Sequence, residues 1–103
     1  MVMREYVSQG DVLKVDRIKK PVLVLSKDFF NKTGEIIGCP IYETGKEGAL
    51  HIHVKASKIE GYVQCEKLAL LDLNARRYSK ADRLSTAEII EIADAVQSIF
   101  DYI

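Results

Sequence analysis

No stretch of about 18 consecutive apolar residues occurs in the 103 residues, which excludes a membrane-spanning helix. The N-terminus also lacks a basic segment followed by an apolar core and a small-residue cleavage site, so the chain is expected in the cytoplasm. Only two cysteines are present, Cys39 and Cys65. They sit inside apolar segments without CxxC spacing and read as buried reduced thiols rather than a disulfide framework or a zinc site. Net charge is missing too. Fifteen basic residues balance fifteen acidic ones, which excludes the overall positive charge that many nucleic-acid binders use to hold phosphates. There is no internal repeat, low-complexity tract, linker, nucleotide motif or metal motif, so neither a cofactor nor a metal is expected.

The charge that is there is unevenly placed. From Thr86 to Ile103 the chain has Glu88, Glu91, Asp94 and Asp101 but no Lys or Arg, leaving the first 85 residues with fifteen basic and eleven acidic residues, a net +4. An anionic partner is expected to meet this front portion. At this length, with 48% hydrophobic residues, residues 1–103 are expected to form one domain.

Short apolar runs predict five or so strands, at Val12 to Val15, Val22 to Leu25, Ile36 to Ile41, Leu50 to Val54 and Tyr62 to Leu71. The polar segments between them, Arg17 to Lys20, Lys27 to Gly34, Glu43 to Gly48 and Lys55 to Glu60, read as turns. They are too short for helical crossovers, so the sheet is expected to be mainly antiparallel. The period then changes: Ile89, Ile92, Ala93, Val96, Ile99, Phe100 and Ile103 recur every three to four residues, as in an amphipathic helix. Ser85-Thr86-Ala87-Glu88 marks its start as a capping box. The Met1 to Gln9 lead is expected to be loosely ordered. Pattern alone therefore gives an α+β chain, mainly β, with an end helix.

The hairpin Gly10 to Ser26, with Asn31-Lys32-Thr33-Gly34, Cys39-Pro40-Ile41, Gly61 to Lys67, Asp72 and Arg76, resembles the MazF/PemK (Kid) toxins of type II toxin–antitoxin systems. The resemblance implies a small SH3-like (CcdB/MazF-type) barrel with a C-terminal helix, usually a homodimer. It implies a ribosome-independent, metal-independent endoribonuclease acting on single-stranded RNA, held by a cognate antitoxin whose acidic disordered tail lies in the RNA groove. Two alternatives share the fold: a non-catalytic toxin that binds DNA gyrase, as CcdB does, through an apolar tail ending in Tyr102 and Ile103; and a degenerate homologue that binds RNA or antitoxin without cleaving.

The departures from the family fall at the site itself. The first turn is short, Lys20 precedes Pro21 where the family usually has arginine, Tyr42 stands where it has threonine, and Gln64 replaces the arginine two residues before a carboxylate. Cleavage without a metal needs a base for the 2′-OH proton, an acid for the leaving oxygen and a cation at the phosphate. Glu66 is the candidate base and Lys20 the cation, with Gln64 and Tyr42 completing the catalytic set. Tyr42 can also stack on an unpaired base. Strand alternation puts Tyr62, Gln64, Glu66 and Leu68 on one face and Val63, Cys65 and Lys67 on the other.

Arg17, Lys19, Thr44, Lys46, His51 and His53 are the candidate RNA contacts. For Arg17, Lys19 and Lys20 the competing reading is a solvated hairpin tip. His51 and His53, two apart on a strand, suit a solvent-facing stripe better than a metal site, since no third ligand is spaced to join them. Asp72, Asn74, Arg76 and Arg77 read as a structural salt-bridge cluster.

Overall fold

The period-2 runs become strands and the period-3.6 tail becomes a helix. The computed structural model of the protein describes residues 6–101. Seven strands are formed: β1 (Asp11–Val15), β2 (Val22–Val24), β3 (Glu35–Tyr42), β4 (His51–Lys55), β5 (Glu60–Gln64), β6 (Ala69–Asp72) and β7 (Tyr78–Arg83). The helices are α1 (Asp28–Asn31) and α2 (Thr86–Ser98). The strands pair antiparallel in the order β4-β5-β3-β2-β1-β7, with β6 also on β3. The class is α+β and mainly β.

Both sheet faces carry core. One buries Leu23, Cys39, Ile41, Val54, Val63 and Cys65 beneath Ile89 and Ile92 of α2. The other buries Val7, Leu13, Val15, Val22, Val24, Ile36 and Leu73. Cys39 and Cys65 are free thiols inside the first core. Burial, then the neighbouring Cys65 and Glu66, push the Cys39 thiol up to about 12. Burial, then Glu66, push Cys65 up to about 11.

The sheet is not closed into a barrel by strand pairing, because β4 and β7 end the strand order and do not pair with each other. Carboxylates join the two ends instead. Asp82 on β7 accepts the backbone N–H of Lys58 (2.6 Å) and Ile59 (2.9 Å) from the β4–β5 turn. Glu88 on α2 accepts the N–H of Lys55 at the end of β4 (2.9 Å). Desolvation works to raise the Asp82 carboxyl, but the N–H groups of Lys58, Arg83, Ile59 and Ser57 outweigh it and hold it below the ordinary value. Glu88 is lowered in the same way, against desolvation, by Lys55, Ser85 and the charge of His53. Ser85 and Glu88 form the expected capping box, and α2 begins where it predicts.

Four local expectations are corrected. The run Tyr62 to Leu71 is two strands, because both β5 and β6 pair with β3: Val63 lies opposite Ile41, and Ala69 opposite Gly38. Six residues along this edge thus span three of β3, so three are in excess, and the exposed Glu66, Lys67 and Leu68 form an oversized bulge. Strand β7 lies in a polar stretch without alternation; it forms as a sheet edge on β1, with Arg83 Nη1 reaching the buried Asp11 at 2.8 Å. The expected turn Lys27 to Gly34 contains α1, whose Asn31 is buried and donates to Val7 O (2.9 Å) and Ser26 O (2.9 Å). That bond also anchors the described end of the lead, where Val7 is buried and Gln9 Nε2 donates to Leu25 O at 2.7 Å; residues 1–5 of the lead lie outside the described residues. At the other end, α2 stops at Ser98 with Ile99 and Phe100 exposed, while Tyr102 and Ile103 lie outside the described residues.

Candidate functional site

The outer face of β3, β5 and β4 is the place where candidate side chains gather. Inward residues Ile41, Val63, Ile52 and Val54 fill the first core, so by alternation Tyr42, Tyr62, Gln64, His51 and His53 point outward. The register sets two rows across the strands. Tyr42 lies opposite Tyr62 and Tyr62 opposite His53; Gln64 lies opposite His51. The His53 and Tyr62 rings meet tilted, 5.4 Å between centroids.

The bulge between β5 and β6 brings the charges. It lifts Glu66 and Lys67 off the sheet, both exposed. Both Glu66 carboxylate oxygens meet His51 Nε2, at 2.9 and 2.8 Å. Lys67 Nζ donates to the Tyr42 hydroxyl at 2.9 Å and lies 4.7 Å from the centroid of the same ring. That hydrogen bond, and next the Tyr42 charge, raise the Lys67 ammonium above its ordinary value. From the hairpin turn, Lys20 Nζ reaches 5.1 Å from the Tyr42 ring centroid. Tyr42 therefore meets two ammonium groups, Lys20 against its ring and Lys67 at its hydroxyl and ring. Lys20 and Glu66 lie in one connected group through Tyr42 and Lys67, without touching.

The remaining candidates fall elsewhere. Arg17, in the left-handed region (φ 69°), and Lys19 do not contact Tyr42 but line an open cleft with Lys14, Arg77 and Tyr78, of which Lys20 is also part. Thr44 and Lys46 are exposed on the loop between β3 and β4, and no contact joins them to the Tyr42 group among the described residues. His53 Nε2 pairs with Glu60 (2.9 Å), and no group of three or more His, Cys, Asp or Glu is arranged to hold a metal among the described residues. Asp72 does not pair with Arg76 or Arg77; its carboxylate accepts the N–H of Asn74 (2.9 Å), and Arg76 Nη1 donates to Asp16 O (3.4 Å).

Lys67 is the side chain of this cluster that the sequence pattern missed. Alternation assigns it to the core face with Val63 and Cys65, but the bulge turns it out. A lysine at an inward position of an apolar run is itself the signal that the alternation breaks there.

Comparison with known proteins agrees with this architecture. A family model described as PemK-like, MazF-like toxin of type II toxin-antitoxin system matches residues 9–100. The fold is similar to that of the chain in a MazE-MazF crystal structure (Form-I) from Deinococcus radiodurans, with a TM-score of 0.85 at 21% identity over 94% of this chain and 98% of that one. It is also similar to an endoribonuclease from a mycobacterial species, with a TM-score of 0.81 at 18% identity over 93% and 92%. An endoribonuclease in complex with its cognate antitoxin, again mycobacterial, gives 0.76 at 18% identity over 91% and 94%. No curated protein sequence matches the chain.

Proposed function

Since the chain belongs to the PemK-like, MazF-like toxin family of type II toxin–antitoxin systems, we propose that it is an endoribonuclease toxin that cuts single-stranded RNA without a metal. The observation that carries this reading is the meeting of Lys20 and Lys67 at Tyr42. It joins the cation of the hairpin turn to the bulge that holds Glu66, on one open face of the sheet.

Two ammonium groups, Lys20 and Lys67, flank the place where a phosphodiester would lie, and their charge opposes the negative charge that builds on phosphorus as the 2′ oxygen attacks. The Glu66–His51 pair supplies the basic end. The Tyr42 hydroxyl, accepting from Lys67, is placed to give its proton to the departing 5′ oxygen. Tyr62 and His53 offer ring faces on which unpaired bases can stack. The products are a cyclic phosphate and a 5′ hydroxyl.

The test is incubation of the purified protein with a long unstructured RNA in the presence of EDTA. Discrete fragments are expected, and Lys67→Ala should slow their appearance about 10²-fold, as loss of one transition-state contact does. RNA that stays intact while binding would replace this reading with the degenerate-homologue one, which Gln64 favours because it stands where relatives carry a cation. RNA neither cut nor bound would sink both and leave the gyrase-binding alternative.

The reading extends to partners. Structures of the same fold are titled as complexes with MazE or with a cognate antitoxin, and an acidic disordered tail suits the net +4 of the first 85 residues. The exposed Leu68, Leu70 and Ile90 support a homodimer. An RNA substrate places the action in the cytoplasm.

A further inference from the structure

Resting on the nuclease reading, we propose that His51 is the catalytic base that takes the 2′-OH proton and that Glu66 is its positioning residue. Glu66 does not present its carboxylate to the open face. Both of its oxygens are directed at one nitrogen, Nε2 of His51. Such a carboxylate holds the Nε2–H tautomer and leaves the Nδ1 lone pair facing away from it. His51 is oriented by one partner and open to a second, its side chain 38% exposed.

The surroundings suit the role. β4 is an end strand, paired only with β5. Gln64 faces His51 from β5, Glu66 from the bulge, and His53 lies two residues along the same face. Gly48 closes the tight turn onto the His51 backbone without a side chain. Across the face, Tyr42 lies two strands over and two residues along from His51, about 12 Å between backbones at ordinary strand spacing and rise, a span across which base and acid side chains can reach one phosphodiester from either side. Geometry favours the imidazole over the carboxylate: both Glu66 oxygens are engaged on Nε2, whereas the half-exposed ring keeps its other nitrogen for a proton brought within hydrogen-bond reach.

In the step itself the 2′-OH proton passes to His51 Nδ1, the 2′ oxygen bonds to phosphorus, and the bond from phosphorus to the 5′ oxygen breaks. The leaving oxygen takes the Tyr42 proton, which Lys67 replaces. His51 and Lys67 return to their starting states by exchange with water.

The experiment uses the full chain and an oligonucleotide spanning a cut mapped with the parent protein. His51→Ala and His51→Gln should each lower kcat about 10²-fold or more with KM little changed, and added imidazole should restore part of the His51→Ala rate. Glu66→Gln should lose less than His51→Ala, and the double variant should be no slower than His51→Ala alone. The assignment is overturned if both His51 variants stay within about threefold of the parent, if imidazole restores nothing, or if Glu66→Gln is the more damaging change. Those results leave the nuclease reading standing. A parent protein that cuts no RNA would overturn both.

Discussion

Lysine at position 20 shows how one side chain tunes the site. In the proposed nuclease its ammonium reaches the Tyr42 face as a point charge, whereas a guanidinium there could grip a phosphate with two parallel hydrogen bonds. Lys20→Arg is therefore expected to raise kcat several-fold and Lys20→Ala to lower it about 10²-fold, both read from fragment accumulation under single-turnover conditions. The thiols provide a second residue-scale outcome. With Cys39 pushed up to about 12 and Cys65 to about 11, almost no thiolate exists at pH 8. Neither cysteine should react with a thiol-specific chromophore in the native protein, whereas both should react promptly in guanidinium; one fast thiol in the native state would show that the core beneath β3 and β5 opens.

At the scale of elements, the decisive features are the bulge and the carboxylate clasp. The bulge adds three residues to an otherwise regular edge, which turns Lys67 and Glu66 from strand residues into projecting ones. The clasp joins sheet ends that do not pair. Because Asp82 is held below its ordinary value by backbone N–H donors, its contribution is complete above the ordinary carboxylate range and is lost as pH falls below about 4. Asp82→Asn is expected to cost about 1–3 kcal/mol at neutral pH and to flatten the loss of stability in acid. Denaturant titrations of both proteins from pH 3 to 7 check this, and parallel acid limbs would contradict it.

For the whole molecule, charge and apolar surface are segregated. The basic residues lie before position 86, and the described acidic residues of α2 and its end lie after it. The groove between Leu25, Ile37 and Leu68 on one side and Ala93 and Val96 on the other continues the exposed apolar surface of Leu70 and Ile90. If the proposed homodimer uses this surface, Leu68→Glu should shift sedimentation toward the monomer while leaving the far-ultraviolet spectrum unchanged; sedimentation identical to the parent's would remove this surface from the proposal. Among the described residues no helix is long and apolar enough to cross a membrane.

Position along the chain was enough to locate β1 to β4 within a residue or so, the start of α2 and both buried thiols, because local alternation, helical period and capping chemistry act over a few neighbours and read directly from residue order. The outward display of His51, His53 and Gln64 followed from the same alternation. Strand β7 was illegible because a polar edge is defined by the partner it pairs with, not by its own pattern. The break at Cys65 to Leu68 was hidden since it arises from two segments competing for one edge of β3. The contacts of Lys20 and Lys67 with Tyr42 and of Glu66 with His51 lay deeper still: they join residues 15 to 25 positions apart, and only the curl of the sheet and its register bring such side chains together.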